Sequence, residues 1–371
     1  MTRPARAALA AVAAVVAALG LPLLVAATPA GGADHARPAT TRTAVDNPLA
    51  DRPWGVYRGG AEMAWTPYVR ATGERKRLLG KIALRPKAKW FGDWIGDDAI
   101  AGKVREYVRN AQAGDPETLV QMTVFRMMPW EQEACRRLPT AAEQASYRRW
   151  IDRFAGAVGD AHVALVLQPD GPFALCAPGG SRLPSSLVAY AARVFSALPH
   201  TSVYIEAGAA DWHRDDVRPA VQLLLDGGIA VTRGFALNTT HYDSTPRQVR
   251  YGARVVAELA RRGVPGVHFV VDTAENGRAF TGEQWRAAGR PGGRFDNART
   301  CRTRAERRCV TLGIPPTWRV GDPRWRLPAD VRALAEQHVD AFLWAGRPWL
   351  RNQNSPFSMS RGLAVARTTR W

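Results

Sequence analysis

Residues 163–170 read Val-Ala-Leu-Val-Leu-Gln-Pro-Asp, an apolar, β-branched run that stops on a carboxylic acid. The same form recurs along the chain. Val203-Tyr-Ile-Glu206 and Phe269-Val-Val-Asp272 also end on acids, Gly234-Phe-Ala-Leu-Asn238 on an amide and Val124-Phe-Arg126 on a cation. Runs this short and this rich in Val, Ile and Leu read as buried strands. The reading places strands at Lys81–Leu84, Leu119–Phe125, Val163–Leu167, Ser202–Ile205, Ile229–Leu237, Val267–Val271 and Ala341–Leu343. Amphipathic helical patterns lie between them, among them Ala141–Val158, Asp215–Leu225 and Arg247–Arg262. Strands alternating with helices make an α/β fold with a mainly parallel sheet. About seven such units favour a closed or nearly closed barrel over an open sheet.

Composition agrees with one catalytic-sized domain. The chain has 371 residues, 46% hydrophobic and 23% charged, which excludes global disorder. Lys and Arg outnumber Asp and Glu by 51 to 33, but only five of the 51 are Lys. An excess of this kind predicts affinity for anionic surfaces such as cell-wall polymers or lipid headgroups. Residues 281–371 carry 17 Arg against seven acids, without any nucleic-acid-binding motif, and read as solvated helix faces. At the N-terminus, Arg3 and Arg6 precede an apolar run from Ala7 to Ala27 and small residues at Ala30 and Ala33. That order predicts a secretory signal over 1–33, with Gly20 and Pro22 arguing against a retained anchor. Residues 34–46 read as a linker, and 47–371 as the catalytic domain. Export makes disulfides the expected state of Cys135, Cys176, Cys301 and Cys309, with zinc as the competing reading. Three pairings are possible. Closure of the basic loop 302–308 favours Cys301 with Cys309, which leaves Cys135 for Cys176.

Polar groups at the ends of parallel barrel strands converge on one face, where barrel active sites form. Two or more carboxylates there satisfy the needs of glycoside hydrolysis: one protonates the leaving oxygen and a second group handles water. The thirteen Trp sharpen the substrate class, because flat apolar rings suit the faces of sugars. Trp90, Trp94, Trp130, Trp212, Trp344 and Trp349 all stand beside turn residues.

The ordered set of these motifs resembles glycoside hydrolase family 6, the secreted β-1,4-glucanases that include endoglucanases and cellobiohydrolases. It runs from Asn47-Pro-Leu-Ala-Asp-Arg-Pro53 through Tyr147-Arg-Arg-Trp-Ile-Asp152, Leu167-Gln-Pro-Asp170, Val203–Trp212 and Gly234–Asn238. It continues through Tyr251-Gly252, His268–Gly277, Leu312-Gly-Ile-Pro-Pro-Thr317 and Val339–Trp344. The resemblance implies a distorted, incompletely closed (β/α) barrel and hydrolysis with inversion, without metal or cofactor. It implies that Asp170 is the proton donor, its pKa raised by burial or a neighbouring carboxylate. Glu131 or Glu133 would supply that neighbour, and Glu206 stands where the family usually has Asp. Trp90 would be a glycone-side sugar platform, Trp212 an aglycone-side one and Asn238 a hydroxyl ligand. Arg126, Asp272 and Trp344 complete the substrate-binding set, and the family's first disulfide matches Cys135–Cys176.

Several positions depart from the family pattern. Arg126 replaces a Tyr that presses the sugar ring, Glu275 replaces an Arg, and Ala209 replaces a His. The segment Ala345-Gly-Arg-Pro-Trp-Leu-Arg-Asn-Gln-Asn354 contains no carboxylate, and Asn352 falls near the family's proposed base. Two expectations follow. One is a secreted, monomeric hydrolase of β-1,4-linked glucan, with a relocated carboxylate among Glu131, Glu133, Glu206 and Asp272 serving the water. The other is a non-catalytic or altered-specificity relative that binds polysaccharide or cell wall. Both take a polysaccharide as partner, with no nucleic acid and no stable membrane insertion after signal removal.

Overall fold

The computed structural model describes residues 47–371; the expected signal over 1–33 and the linker over 34–46 lie outside them. Seven strands form one all-parallel sheet: β1 (Lys89–Gly92), β2 (Val120–Phe125), β3 (Val163–Leu167), β4 (Thr201–Glu206), β5 (Gly234–Leu237), β6 (His268–Asp272) and β7 (Val339–Leu343). Their spatial order is their chain order, β1 to β7. A parallel sheet wound in one direction curls on itself, and here it forms an open barrel. Between the last strand and the first, the Ala88 N–H donates to the Trp344 carbonyl at 2.8 Å and the Trp90 indole N–H to the Ala345 carbonyl at 2.8 Å. Lower down, residues 53–55 pair with Leu119 beside β2, Asn47 donates to the Asp340 carbonyl, and Leu49 is fully buried among the inward-facing strand residues.

Strand periodicity divides the core in two. Val163, Leu165 and Leu167 face the helices, as do Val203 and Ile205, Phe235 and Leu237, and Phe269 and Val271. The alternate residues Ala164, Val166, Tyr204, Ala236, Val270, Ala341 and Leu343 fill the barrel. Small Ala side chains leave room for Tyr204. Outside, helix Ala141–Val158 shows how the layer is specified. Thr140 and Glu143 form a reciprocal cap at its start, and Gly159, at φ 55°, ends it. Tyr147, Trp150, Ile151, Phe154 and Val158 then fall on one buried stripe.

Two expected strands are corrected. Lys81–Leu84 ends helix Gly73–Ala83, because Leu78, Leu79, Ile82 and Ala83 are buried at helical spacing; the first strand is Lys89–Gly92. Ile229–Val231 is a 3₁₀ turn after Gly228, so the strand starts only at Gly234. A Cβ at Gly234 would lie 1.8 Å from the His268 carbonyl oxygen, so the two backbones require glycine there.

The lower end of the barrel is closed by charge. The β6–β7 register passes from Phe269↔Val339 to Val270↔Ala341, so Asp340 is the extra residue of a bulge. Its buried carboxylate accepts two bonds from Arg233 at 2.7 Å each and one from the Tyr204 hydroxyl at 2.7 Å. Removing one member of such a buried pair strands the other. Asp340→Ala is expected to lower unfolding stability by about 3–5 kcal/mol in denaturant titration, with ligand binding at the opposite end of the barrel unchanged.

Candidate active site

The upper ends of β2 to β6 carry the polar residues, and the local backbone departs from regular structure to aim them. Glu131, Gln168, Asp170, Asn238, Asn352 and Gln353 all have positive φ, between 49° and 73°. A concentration of left-handed, non-glycine residues marks a place where tertiary contacts override local preference.

Asp170 lies three residues beyond β3, on a turn fixed from three sides. The Gly171 N–H donates to a Glu206 carboxylate oxygen at 2.9 Å, and the Trp130 indole N–H donates to the Pro169 carbonyl at 2.9 Å. The Cys135–Cys176 disulfide joins the 3₁₀ segment Gly171–Cys176 to the short helix Glu131–Ala134. Glycine is required at 171, because a Cβ there would lie 2.1 Å from the Glu206 carbonyl oxygen. The Asp170 carboxyl accepts a hydrogen bond from the Thr240 hydroxyl at 2.8 Å, just past β5. Burial, then the Glu206 carboxylate, raises its pKa to about 7; Asp296 and Glu131 add smaller pushes in the same direction.

Asp170 opens on a cleft of about 290 Å³ lined by Trp90, Trp94, Phe125, Glu131, Thr240, Arg294, Asp296, Arg347 and residues 351–355. Trp94 is 55% exposed and offers a free indole face. Trp90 is 7% exposed, and the Arg347 guanidinium stands 4.2 Å from its ring centroid. Glu131 and Asp296 are both solvent-exposed at the cleft. Surrounding protein raises both pKa values, but contact with water limits the effect on either group.

Beneath the cleft lies a buried polar layer. The Asp272 carboxylate accepts the backbone N–H groups of Ala274, Ala345 and Gly346, at 2.7, 2.6 and 2.5 Å. It therefore anchors the chain leaving β7, although burial still raises its pKa to about 7. Asn238 donates to the Asp243 and Asp272 carbonyls. Glu275 is 1% exposed; burial, then Asp272, push its pKa far above the carboxylate range, against a smaller lowering by Arg361 and the Gln353 amide. His241 Nδ1 lies 2.9 Å from Asp211, whose second oxygen accepts the Gly282 N–H. Burial works against the charged imidazole, but Asp211 outweighs it and raises the His241 pKa.

Of the residues read from sequence, Asp170, Glu131 and Trp90 meet at the cleft, with Glu206, Asn238 and Asp272 as the layer below. Trp212 flanks this group, packed against Phe173 and His241. Three do not join it. Glu133 is exposed and paired with Arg137. Arg126 is turned toward helix Ala141–Val158, bonded to Asp97 and Ser146. Trp344 is 2% exposed, with its indole N–H on the Ile314 carbonyl. Cys301 and Cys309 are joined as well, so no thiolate is left for zinc. Sequence reading missed Thr240, Asp296, Arg294 and Arg347. Thr240 follows the strand-end Asn238 by two residues and was within reach of the strand-end rule. Asp296 and Arg294 come from the long irregular segment between β6 and β7, whose direction no periodicity reveals.

The profile of the family described as Glycosyl hydrolases family 6 matches residues 57–348. Endoglucanase 1 of Streptomyces halstedii is 30% identical over 273 residues, 73% of this chain and 80% of that protein. Endoglucanase A of Cellulomonas fimi is 30% identical over 238 residues, 64% of this chain; the chain spans 50% of that relative's length. Among solved structures, the endoglucanase Cel6 from Mycobacterium tuberculosis superimposes with a TM-score of 0.67 at 23% identity, covering 87% of this chain and 99% of that one. That likeness is one of fold.

A carboxyl whose folded pKa lies above its unfolded value of about 3.9 binds its proton more tightly when folded, so stability is lost as pH rises through the interval. Asp170 and Asp272 at about 7, and Asp243 at about 6, all act in this direction. Asp170→Asn is expected to leave stability unchanged near pH 4. Above pH 7 it should raise stability by on the order of 1–3 kcal/mol, read from the pH dependence of Tm.

Proposed function

The chain belongs to the Glycosyl hydrolases family 6, and on that premise we propose that it is an exported hydrolase of β-1,4-linked glucan that acts with inversion. Asp170 is the general acid. The observation that carries this reading is its placement: a carboxyl with pKa near 7 at a strand end, opening on a cleft beside an exposed indole. It is therefore largely protonated below pH 7 and able to give its proton to the glycosidic oxygen as the C–O bond breaks. Water attacks the anomeric carbon from the opposite face and loses its proton to a carboxylate.

Asp296 is our assignment for that second carboxylate. Glu206 and Asp272 are committed to backbone N–H groups below the cleft, and Glu133 is outside it. Asp296 is exposed to water on the cleft wall, and Arg294, Arg347 and His241 favour its ionised form against the raising effect of burial. The endoglucanase names of the relatives support the substrate class. The proposed arrangement is a monomer with a signal over 1–33 and a linker over 34–46. Among the described residues no helix is long and apolar enough to cross a membrane. A second reading, a glycan-binding relative without turnover, is favoured by Arg347 over Trp90 and by the acid-free segment 345–354.

Reducing-sugar release from a β-1,4-glucan panel separates the two. Release by the wild type, lowered about 10²–10⁴-fold in Asp170→Asn and nearly as much in Asp296→Asn, is the expected result. The activity should fall as pH rises above about 7, and the first product should be the α-anomer by NMR. No release on any glucan, with binding retained, would establish the binding reading instead.

A further inference from the structure

Three arginines line the cleft without ion pairs of the kind that hold several other cations of this basic protein. Arg233 is locked to Asp340, Arg247 to Asp215 and Arg137 to Glu143. Arg294, Arg347 and Arg351 line the cleft, yet among the described residues no carboxylate lies within 4.0 Å of any of the three guanidiniums. Arg294 and Arg351 are exposed, whereas Arg347 is half-buried. Its Nε is buried and has no partner, and its guanidinium rests on Trp90.

Arg347 is the informative member. Burial lowers its pKa to about 10, so it stays charged at neutral pH. The acids around it do not discharge it. Glu62 is shared with Lys87 at 3.7 Å, burial pushes the Glu275 pKa upward and so disfavours its charge, and Asp296 is exposed. A half-buried cation with a free donor has given up part of its hydration without a counter-ion, and an anionic ligand would supply that counter-ion. It also occupies the ring of Trp90 that an uncharged sugar would otherwise use for stacking. The remaining open indole, Trp94, lies in the same cleft, so a sugar ring and its charged substituent can be recognised together.

We infer that the cleft is built for a β-linked glycan bearing anionic substituents, with Arg347, Arg294 and Arg351 reading carboxylate or phosphate groups on its sugars. The inference rests on the glycan-cleft reading above and narrows its substrate class. The planar guanidinium fork pairs with either anion, so the two chemistries need separate arms.

The test is calorimetric titration of Asp170→Asn, which separates binding from turnover. Three β-1,4-linked tetrasaccharides of glucose are compared: unmodified, oxidised at C6 to carboxylates, and phosphorylated at C6. At least one anionic ligand is expected to bind about tenfold or more tighter than the neutral one, with an advantage that shrinks as salt is raised. Arg347→Gln should remove most of that advantage while leaving neutral affinity equal or improved, since the Trp90 face is uncovered. Arg294→Gln and Arg351→Gln, both at exposed positions, should each remove part of it and remain informative if Arg347→Gln fails to fold. Neutral binding as tight as anionic binding, or an anionic advantage indifferent to all three substitutions, overturns the inference. Wild-type turnover separates it from the parent reading. Asp170-dependent cleavage with no anionic preference removes the inference and keeps the hydrolase; anionic binding without cleavage does the reverse. No binding of any of the three removes both.

Discussion

The hydrogen bond from the Gly171 N–H to the Glu206 carboxylate holds the site together, because it joins two neighbouring strands at the point where the acid must be aimed. Glu206 ends β4 inside the barrel, and Gly171 is the first residue after Asp170. Backbone approach at this point is so close that only glycine fits at 171. The same carboxylate that fastens the turn also raises the Asp170 pKa, after burial itself. One contact thus contributes to both position and protonation state, and the single-wound sheet brings those two strand ends side by side.

Around that acid, carboxyls lie below the cleft and arginines line it. Glu275 is buried, while Arg347 and Arg351 bring positive charge to the segment after β7. Asp272 stabilises that segment by taking its first two N–H groups. The Trp90 indole is covered by a guanidinium, and a different indole, Trp94, is left open. The carboxyl proposed as proton donor therefore faces a cleft lined with cations, an arrangement that fits the proposed hydrolysis of a charged glycan.

Much of the fold was legible because period-two burial and strand-end polarity are local signals. Six of the seven strands overlap their expected spans. The exception, Lys81–Leu84, is a short apolar cluster that periodicity alone cannot assign, and its helical spacing is settled by the buried face of Gly73–Ala83. Asp170 was legible because it combines a strand end with a family motif. Arg126 was misplaced because the residue after a strand can turn to either side, and Asp97 with Ser146 draws it outward. Trp344 was misplaced because an indole beside a turn serves the core as well as a sugar. Asp296 and the cationic cleft were not legible, since their position depends on how the irregular segments before and after β7 fold over the barrel.

The central claim is that residue 170 keeps its proton near neutral pH. Site-resolved titration of the Asp170 carboxyl carbon by NMR, in protein labelled at aspartate, measures this directly. A midpoint near 7, moving down when Glu206 is replaced by Gln, is the result this account requires. A midpoint near the ordinary value of about 4, or one indifferent to Glu206, would contradict it.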